Sequence, residues 1–236
     1  ASGYEANTGA AIVRLLAASA TALGLAPSPV RAVPPCRSES PDATVALLEL
    51  YTSEGCSSCP PADRWLSTLV GRSDVLALAF HANYWHRLGW KDRYASPEAT
   101  QRQQALAQAA GSRQVYTPQV VVDGQDWRGW PRLPAPKAAG TAPRVALVRE
   151  GGDVVARVAA APNARRLAGY WAVIEDGHGS DVRAGENRGE RLRHDHLVRQ
   201  YQPVAAWDGD SRRALRLPVE AGVAPHPRRA AFVVTD

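Results

Sequence analysis

Two cysteines separated by two serines are the residues of this chain best suited to chemistry. Cys56 and Cys59 enclose the sequence Ser-Ser, and this spacing places both sulfurs on one face of a helical turn, within bonding reach. At a helix N-terminus, the partial positive charge is expected to lower the pKa of the Cys56 thiol. The thiolate then attacks a substrate disulfide, and the second cysteine resolves the mixed disulfide. The pattern predicts thiol–disulfide exchange, with Cys56 as nucleophile and Cys59 as resolving residue.

The flanking sequence predicts a strand before the cysteine pair and a helix after it. Residues 44–52 are a short apolar run with β-branched and aromatic side chains, typical of a strand buried on both faces. Two prolines and apolar residues at helical spacing predict a helix over 59–70. A strand, a helix and a strand are then predicted over 75–80, 97–110 and 119–123. This alternating order favours an α/β layer.

A Thr-Pro pair before the third predicted strand is the second chemical feature. Because an X-Pro bond is able to be cis, Thr117 and Pro118 could hold an extended edge beside the active sulfur. We expect the backbone of Thr117 to pair there with a bound substrate segment. Tyr84 and Trp85 follow the second predicted strand and are candidates for an apolar wall around a peptide substrate. Ordinary core packing is the alternative for both aromatic side chains.

These residues together resemble the thioredoxin superfamily, in which a CxxC pair lies at a strand-to-helix junction and a Thr-Pro pair precedes a strand. Longer phrases are similar to a bacterial exported family, domain of unknown function 1223. The phrases are LELYTSEGCSSCPPAD (48–63), FHANYW…LGWKD (80–92), VYTPQVVVDG (115–124) and GENRGERLRHDHLVR (185–199). The resemblance implies a thioredoxin-like fold and export, and it implies no particular substrate.

The chain departs from the thioredoxin pattern where a buried acid is expected before the first cysteine. Leu50 occupies that position, and the adjacent Glu49 faces the opposite side of a regular strand. Glu49 is a candidate proton-handling group if the strand is bulged, and pairing with an arginine is the alternative. His81 is the other candidate because strand ends border the site crevice in α/β sheets. A core or loop histidine without a chemical role is the alternative there.

The second half of the chain predicts a small β-rich domain. Residues 131–143 contain four prolines and are typical of a linker. Beyond it the sequence alternates around two adjacent glycines, and about six strands without helical spacing indicate a sandwich. The predicted organisation is therefore a thioredoxin-like domain over 44–130 and a sandwich-like domain over 144–236.

The N-terminal residues have the pattern of an export signal. Arg14 precedes an uncharged apolar stretch, which is followed by small residues ending at Ala32. The stretch is too short to span the ~30 Å hydrocarbon layer. We predict a signal over 1–32, a linker over 33–43 with Cys36 as an exposed thiol, and a periplasmic or secreted protein. No membrane span is expected after signal removal. A buried amphipathic helix is the alternative for the signal segment.

Composition and charge narrow the range of partners. The 236 residues have a net charge of +5, but the arginines alternate with acids, so no phosphate-tracking stripe stands out. A hydrophobic fraction of 45% excludes a wholly disordered chain. We expect exported protein or small-molecule thiols and disulfides as partners, with no nucleic acid and no cofactor. The sequence predicts no oligomeric state.

Other interpretations of the cysteines and histidines stay open. His194 and His196 would face one side of a strand, which suits a metal, although a surface strand is the simpler interpretation. Two thiolates alone can hold copper(I), which would make the chain a non-catalytic binding module. The β-rich half could equally bind a protein partner. A structural zinc site needs two more ligands than the cysteine pair supplies. A permanent structural disulfide is the remaining interpretation.

Overall fold

Strands make up most of the regular structure of this protein. The computed structural model describes residues 12–16, 36–41, 45–135, 142–220 and 225–235. The strands in these ranges are β1 (Ile12–Leu16), β2 (Arg37–Glu39), β3 (Ala46–Thr52), β4 (Val75–His81), β5 (Gln119–Val122), β6 (Gln125–Asp126), β7 (Val145–Glu150), β8 (Asp153–Val158), β9 (Arg166–Glu175), β10 (His178–Asp181), β11 (Arg191–His194), β12 (Leu197–Asp208), β13 (Arg213–Pro218) and β14 (Arg229–Thr235). The helices are α1 (Pro60–Ser67), α2 (Pro97–Ala109) and a 3-10 helix over Asn83–Leu88.

An eight-stranded sheet forms the centre of the molecule. Its strand order is β1-β14-β9-β12-β4-β3-β5-β6. The strands β3 and β4 pair in parallel, whereas β5 runs antiparallel to β3. From the second half of the chain, β12 joins the free edge of β4 with Leu197 opposite Ala79. Strands from the two halves are therefore neighbours in one sheet.

The side chains of this sheet alternate between two buried faces, as the pleat of a strand requires. On one face, apolar residues of β3, β4, β9 and β14 form one continuous cluster, which Ala99 of α2 joins. On the other face, α1 covers β3, β4 and β5 through Ala62, Trp65 and Leu66. The four-stranded sheet β13-β8-β7-β2 covers β9 and β14 on that same face. The cysteine turn thus joins a buried strand to the helix that packs on it.

Both predicted helix starts are confirmed, and each has a local cause. Pro60 is the first residue of α1, where its missing N–H leaves no helical hydrogen bond unmade. Ser96 caps α2 by accepting a hydrogen bond from the N–H of Ala99 on its hydroxyl oxygen, at 3.1 Å. Gly111 follows the end of α2 with a φ of 71°, which ends the helix at the position predicted from the sequence.

The predicted fold class is wrong. The described part of the chain is a mostly β architecture of three sheets, not an α/β thioredoxin-like domain followed by a separate sandwich. Most of the individual strands occur where the sequence predicts them. Hydrophobic patterning shows which side chains are buried, but it does not show which edge a strand pairs with. An open edge on β4 leaves backbone groups unpaired, and β12 pairs with that edge at Ala79.

The sequence did not reveal β1, β2, β6, β10 or the 3-10 helix. Within the segment predicted as an export signal, β1 pairs with β14 at the edge of the central sheet. Within the predicted linker, β2 pairs with β7. The other residues of 1–35, and residues 136–141 of the predicted second linker, lie outside the described ranges. The signal, the linkers and the domain bounds stay predictions. No helix in the ranges that the structure describes is both long and apolar enough to cross a membrane.

Candidate functional site

Cys56 and Cys59 form a disulfide in the turn between β3 and α1. Cys59 is the N-cap residue of α1, and Cys56 lies three residues earlier in the preceding turn. In that turn the N–H of Cys56 donates to the carbonyl of Ser53 at 3.1 Å. The helix therefore begins at the second cysteine rather than at the first. Neither cysteine has exposed surface.

The predicted substrate residue Thr117 lies beside the disulfide. The bond between Thr117 and Pro118 is cis, a conformation that an X-Pro bond permits. The hydroxyl of Ser58 donates to the carbonyl of Thr117 at 3.5 Å and lies 3.4 Å from the sulfur of Cys56. The Thr-Pro segment is thus connected to the first cysteine through one exposed serine.

Trp85 is the predicted aromatic residue that comes closest to the cysteine turn. Its indole N–H donates to the hydroxyl of Thr117 at 2.8 Å. Gly55 lets this ring system approach, because an added Cβ at that position would lie 2.9 Å from the Cβ of Trp85. Tyr84 instead donates its hydroxyl to the side-chain carbonyl of Gln103 at 3.3 Å. Trp85 therefore contacts both Gly55 and Thr117, whereas Tyr84 of the 3-10 helix bonds to Gln103 of α2.

His81, the predicted proton-handling residue, forms a buried pair with Asp92. The Nδ1 atom of His81 lies 2.7 Å from Oδ2 of Asp92. The same carboxylate accepts the backbone N–H groups of Glu54 at 3.0 Å and Tyr94 at 2.9 Å. Burial lowers the pKa of His81, but the charge and hydrogen bond of Asp92 outweigh it and raise the pKa. The pKa of Asp92 is held well below its ordinary value despite burial, chiefly by His81.

A second buried histidine, His194, bonds to the acid two residues before Cys56. Its Nε2 atom lies 3.0 Å from Oε1 of Glu54, and the other oxygen of that carboxylate accepts the indole N–H of Trp90 at 2.7 Å. The rings of His194 and His81 are nearly perpendicular, with centroids 4.7 Å apart. The Nε2 atom of His81 and the Nδ1 atom of His194 are buried without a hydrogen-bond partner among the described residues. Each ring therefore has one nitrogen on a carboxylate and one available for a proton.

Asp63 connects this histidine pair to the cysteine helix. It lies in the first turn of α1, where its backbone N–H donates to the carbonyl of Cys59 at 3.1 Å. Its side chain accepts the hydroxyl of Thr52 at 3.0 Å. Burial raises the pKa of Asp63, and the nearby His194 and His81 oppose that rise. Acids and imidazoles able to exchange protons are thus packed against the start of α1.

The ion pair of His81 and Asp92 should make the free energy of unfolding depend on pH. The raised pKa of His81 contributes stability below its ordinary value of 6.5 that is lost as the pH rises through the folded value. The lowered pKa of Asp92 contributes stability above its ordinary value of 3.8. We therefore expect the unfolding free energy, measured in urea, to decline above pH 6.5 in the wild type and to decline less in His81→Asn. Equal slopes in the two proteins would contradict a charged His81.

The loop between β10 and β11 is hydrogen-bonded to the turn that contains the first cysteine. The carboxylate of Glu186 accepts the backbone N–H of Ser57 at 2.9 Å and its hydroxyl at 2.8 Å. The side-chain amide of Asn187 donates to the carbonyls of Glu54 and Cys56, both at 2.9 Å. Four hydrogen bonds from this loop therefore hold the turn that carries the disulfide.

Glu49 lies outside the site, and the histidines predicted as a metal pair do not form one. Glu49 faces away from α1 and pairs with Arg102 at 2.5 Å, which is the alternative that the sequence left open. The hydroxyls of Tyr51 and Tyr170 also donate to Glu49. The expectation that His194 and His196 share a strand face is wrong, because β11 ends at His194 and His196 has a φ of 55°. Within the described ranges, no group of three or more histidine, cysteine or acidic residues could hold a metal ion.

Five polar residues of the site were missed in the sequence. They are Glu54, Asp63, Asp92, Glu186 and Asn187. All five occur in the phrases that carry the family resemblance, but the sequence analysis assigned candidate roles there only to the cysteines, the Thr-Pro pair, Glu49, His81, Tyr84, Trp85, His194 and His196. Polar residues inside such phrases were the signal that could have found them.

The fold and the site define a strand-rich protein with a buried CxxC disulfide at the start of a short helix. The model of the family described as "Protein of unknown function (DUF1223)" matches residues 47–235. The chain therefore belongs to that family, as its phrases indicated.

Solved structures give two further similarities. The X-ray crystal structure of protein AGR_C_4864 from Agrobacterium tumefaciens is 27% identical, with a TM-score of 0.60, over 80% of this chain and 92% of that one. HBP35 of Porphyromonas gingivalis is 14% identical, with a TM-score of 0.49, over 81% of this chain and 69% of that one. No curated protein matches the chain. The first similarity supports the described architecture.

Proposed function

We propose that this protein carries out thiol–disulfide exchange through Cys56 and Cys59. The observation that carries the proposal is the closed CxxC disulfide between β3 and α1, with acids and histidines packed behind it. Such a cysteine pair can cycle between its disulfide and dithiol forms by thiol exchange alone, without a cofactor. Thr117 and Trp85 line the side of the turn where Ser58 is exposed, and they are the proposed substrate contacts.

The proposed exchange consists of two successive thiolate attacks and can run in either direction. A substrate thiolate attacks the sulfur of Cys56, the bond to Cys59 breaks, and its electron pair leaves on Cys59, which takes up a proton. A second substrate thiolate then attacks the substrate sulfur of the mixed disulfide and releases Cys56. The substrate dithiol is oxidised to a disulfide, and the protein disulfide is reduced to two thiols. The reverse sequence reduces a substrate disulfide.

The buried acids and histidines supply the protons that this step requires. Cys59 is at the N-cap of α1, where the helix dipole favours a departing thiolate. Asp63 is one turn further on, next to both histidines. Each ring has one buried nitrogen without a hydrogen-bond partner among the described residues, so the two rings and Asp63 are the groups proposed to relay a proton towards Cys59. His81, His194 and Asp63 are therefore the proposed proton-handling residues.

Exported thiols are the proposed substrates, either on proteins or as small molecules. Disulfides persist in oxidising compartments outside the cytosol, which agrees with the export signal predicted from the sequence. A permanent structural disulfide is the alternative, and the complete burial of both cysteines favours it. The two differ in reactivity, because a structural disulfide resists reduction by the surrounding thiol pool.

The test is to trap the mixed disulfide. In Cys59→Ser, the thiol of Cys56 attacks a model disulfide and stays attached, because the resolving sulfur is absent. Intact mass after incubation with oxidised glutathione should show one adduct of glutathione, mapped to Cys56 by proteolysis. Cys36, which is exposed, is replaced by serine in every sample.

The wild-type pair gives the complementary result. The fraction of the Cys56–Cys59 pair that is reduced should rise with the ratio of reduced to oxidised glutathione in the folded protein. This dependence gives the reduction potential of the pair. A pair that stays oxidised at every ratio, together with no adduct on Cys59→Ser, would show a structural disulfide. Copper(I) bound one per reduced chain, without exchange, would instead favour the binding module.

A further inference from the structure

The residues between β10 and β11 form an ordered strap, defined as 182–190. Its base is closed by backbone hydrogen bonds from Val182 to Glu190 at 2.9 Å and from Gly189 to Val182 at 2.8 Å. At its tip, the N–H of Arg188 donates to the carbonyl of Gly185 at 3.3 Å. The strap is therefore shaped by its own backbone, independently of the surface that it covers.

Asn187 is the anchor of the strap on the cysteine turn. Only 5% of its surface is exposed, and its side-chain amide donates to two carbonyls on either side of Gly55. Because both amide hydrogens are used, its removal leaves two buried carbonyls without this partner. Glu186 adds two bonds to the exposed Ser57. The buried anchor thus sets the position of the strap, and the exposed acid adds a weaker contact.

Exchange requires access to a disulfide whose two cysteines have no exposed surface in this structure. A thiolate must reach a disulfide sulfur directly, so the rate of exchange depends on access to that sulfur. Cys56 has no exposed surface while Asn187 and Glu186 hold its turn. If the disulfide exchanges, part of the structure around Cys56 must move first, and the strap is a candidate because it bonds to the cysteine turn through only two of its side chains.

The topology permits that movement. The hairpin of β10 and β11 is a separate two-stranded sheet, so its tip can lift without breaking the central eight-stranded sheet. Glycines at positions 185 and 189 have φ values of 76° and 91° and give the strap its turns. Four hydrogen bonds hold the strap on the cysteine turn, and each contributes only a modest net stability.

We infer that strap 182–190 is a gate over the disulfide, with Asn187 as the positioning residue that holds it closed. This inference rests on the proposed exchange at Cys56 and Cys59. Opening the gate exposes the sulfur of Cys56 to a thiol, and closing it protects the oxidised pair. The carboxylate of Glu186 bonds to Ser57, the residue after Cys56. Its negative charge repels a thiolate formed at Cys56, so reduction of the disulfide favours the open gate.

The test measures the rate at which dithiothreitol reduces the disulfide of Cys56 and Cys59 in the folded full chain at neutral pH. Asn187→Ala should be reduced roughly 10- to 30-fold faster than the wild type, which corresponds to the loss of two net hydrogen bonds. Glu186→Gln should be reduced a few-fold faster, because it loses the charge and keeps an acceptor. Glu190→Gln is the matched control, with the same loss of charge at an exposed strap position, and should leave the rate unchanged.

Amide hydrogen exchange distinguishes local opening of the strap from a general loss of stability in the variant. In Asn187→Ala, the N–H of Ser57 should exchange faster while those of β3 and β4 keep their protection. Should this variant unfold, the same comparison on Glu186→Gln decides the matter. Equal reduction rates in the wild type and the folded strap variants overturn the gate.

The outcomes also separate the gate from the proposed function. If the variants are reduced faster but neither they nor the wild type exchange with a model protein disulfide, the gate is supported and the proposed function is contradicted. Full exchange by the wild type, with no faster rate in the variants, leaves the proposed function and removes the gate.

Discussion

Replacing Cys56 with serine is expected to lower the rate of exchange with a model disulfide by roughly 10³-fold or more, as the loss of a nucleophile does. The reason is that the serine hydroxyl is not ionised at neutral pH and forms no disulfide. The measurement is turnover of a fluorescent disulfide of glutathione in the presence of excess dithiothreitol, corrected for the uncatalysed rate.

The matched control for this prediction is Cys36→Ser. Cys36 is exposed and lies outside the disulfide, so its replacement should leave the rate unchanged. A Cys56→Ser protein that keeps the wild-type rate would remove the catalytic assignment. A loss of rate in Cys36→Ser would show that the reacting thiol had been misassigned.

Replacing Arg102 with methionine is expected to lower the free energy of unfolding by about 3–5 kcal/mol, the cost of breaking a buried ion pair. The side chain of Arg102 is 14% exposed and that of its partner Glu49 only 2%. The substitution leaves a buried carboxylate with the hydroxyls of Tyr51 and Tyr170 as its remaining donors. The measurement is urea denaturation followed by circular dichroism at pH 7.

Two comparisons make this result specific. The double variant Glu49→Gln and Arg102→Met should recover most of the lost stability, because no unpaired charge then stays buried. Arg157→Met breaks an exposed pair with Glu150 and should cost at most about 1 kcal/mol. A small effect of Arg102→Met alone would mean that water reaches the carboxylate.

The same double variant decides the role of Glu49. The structure places this residue on the sheet face opposite α1, so the exchange rate of the folded double variant should equal that of the wild type. A clear loss of exchange rate would support the sequence-based prediction that Glu49 handles protons.

Much of the site could be predicted because its parts are local. The Cys-Ser-Ser-Cys turn, the prolines that start α1 and the Thr-Pro segment are each specified within a few residues. The location of His81 at the end of β4 follows from the length of one apolar run. Turn chemistry, helix starts and alternation act over such short spans.

The partners of these residues could not be predicted. Glu54 meets His194 across 140 residues, and Asn187 reaches the carbonyl of Cys56 across 131. These contacts exist because β12 pairs with β4 and brings the β10–β11 hairpin over the cysteine turn. A polar residue in the sequence shows that it needs a partner when buried, but not which partner it finds.

By itself, the sequence determined a closely spaced cysteine pair between a buried strand and a helix, because backbone preferences and short-range spacing are properties of the local chain. Only the tertiary structure decided that the two halves share one sheet, that acids and histidines meet beside the first turn of α1, and that a strap bonds to the cysteine turn. Those outcomes depend on which strand edges pair, and many distant segments with similar apolar patterns compete for the same edge.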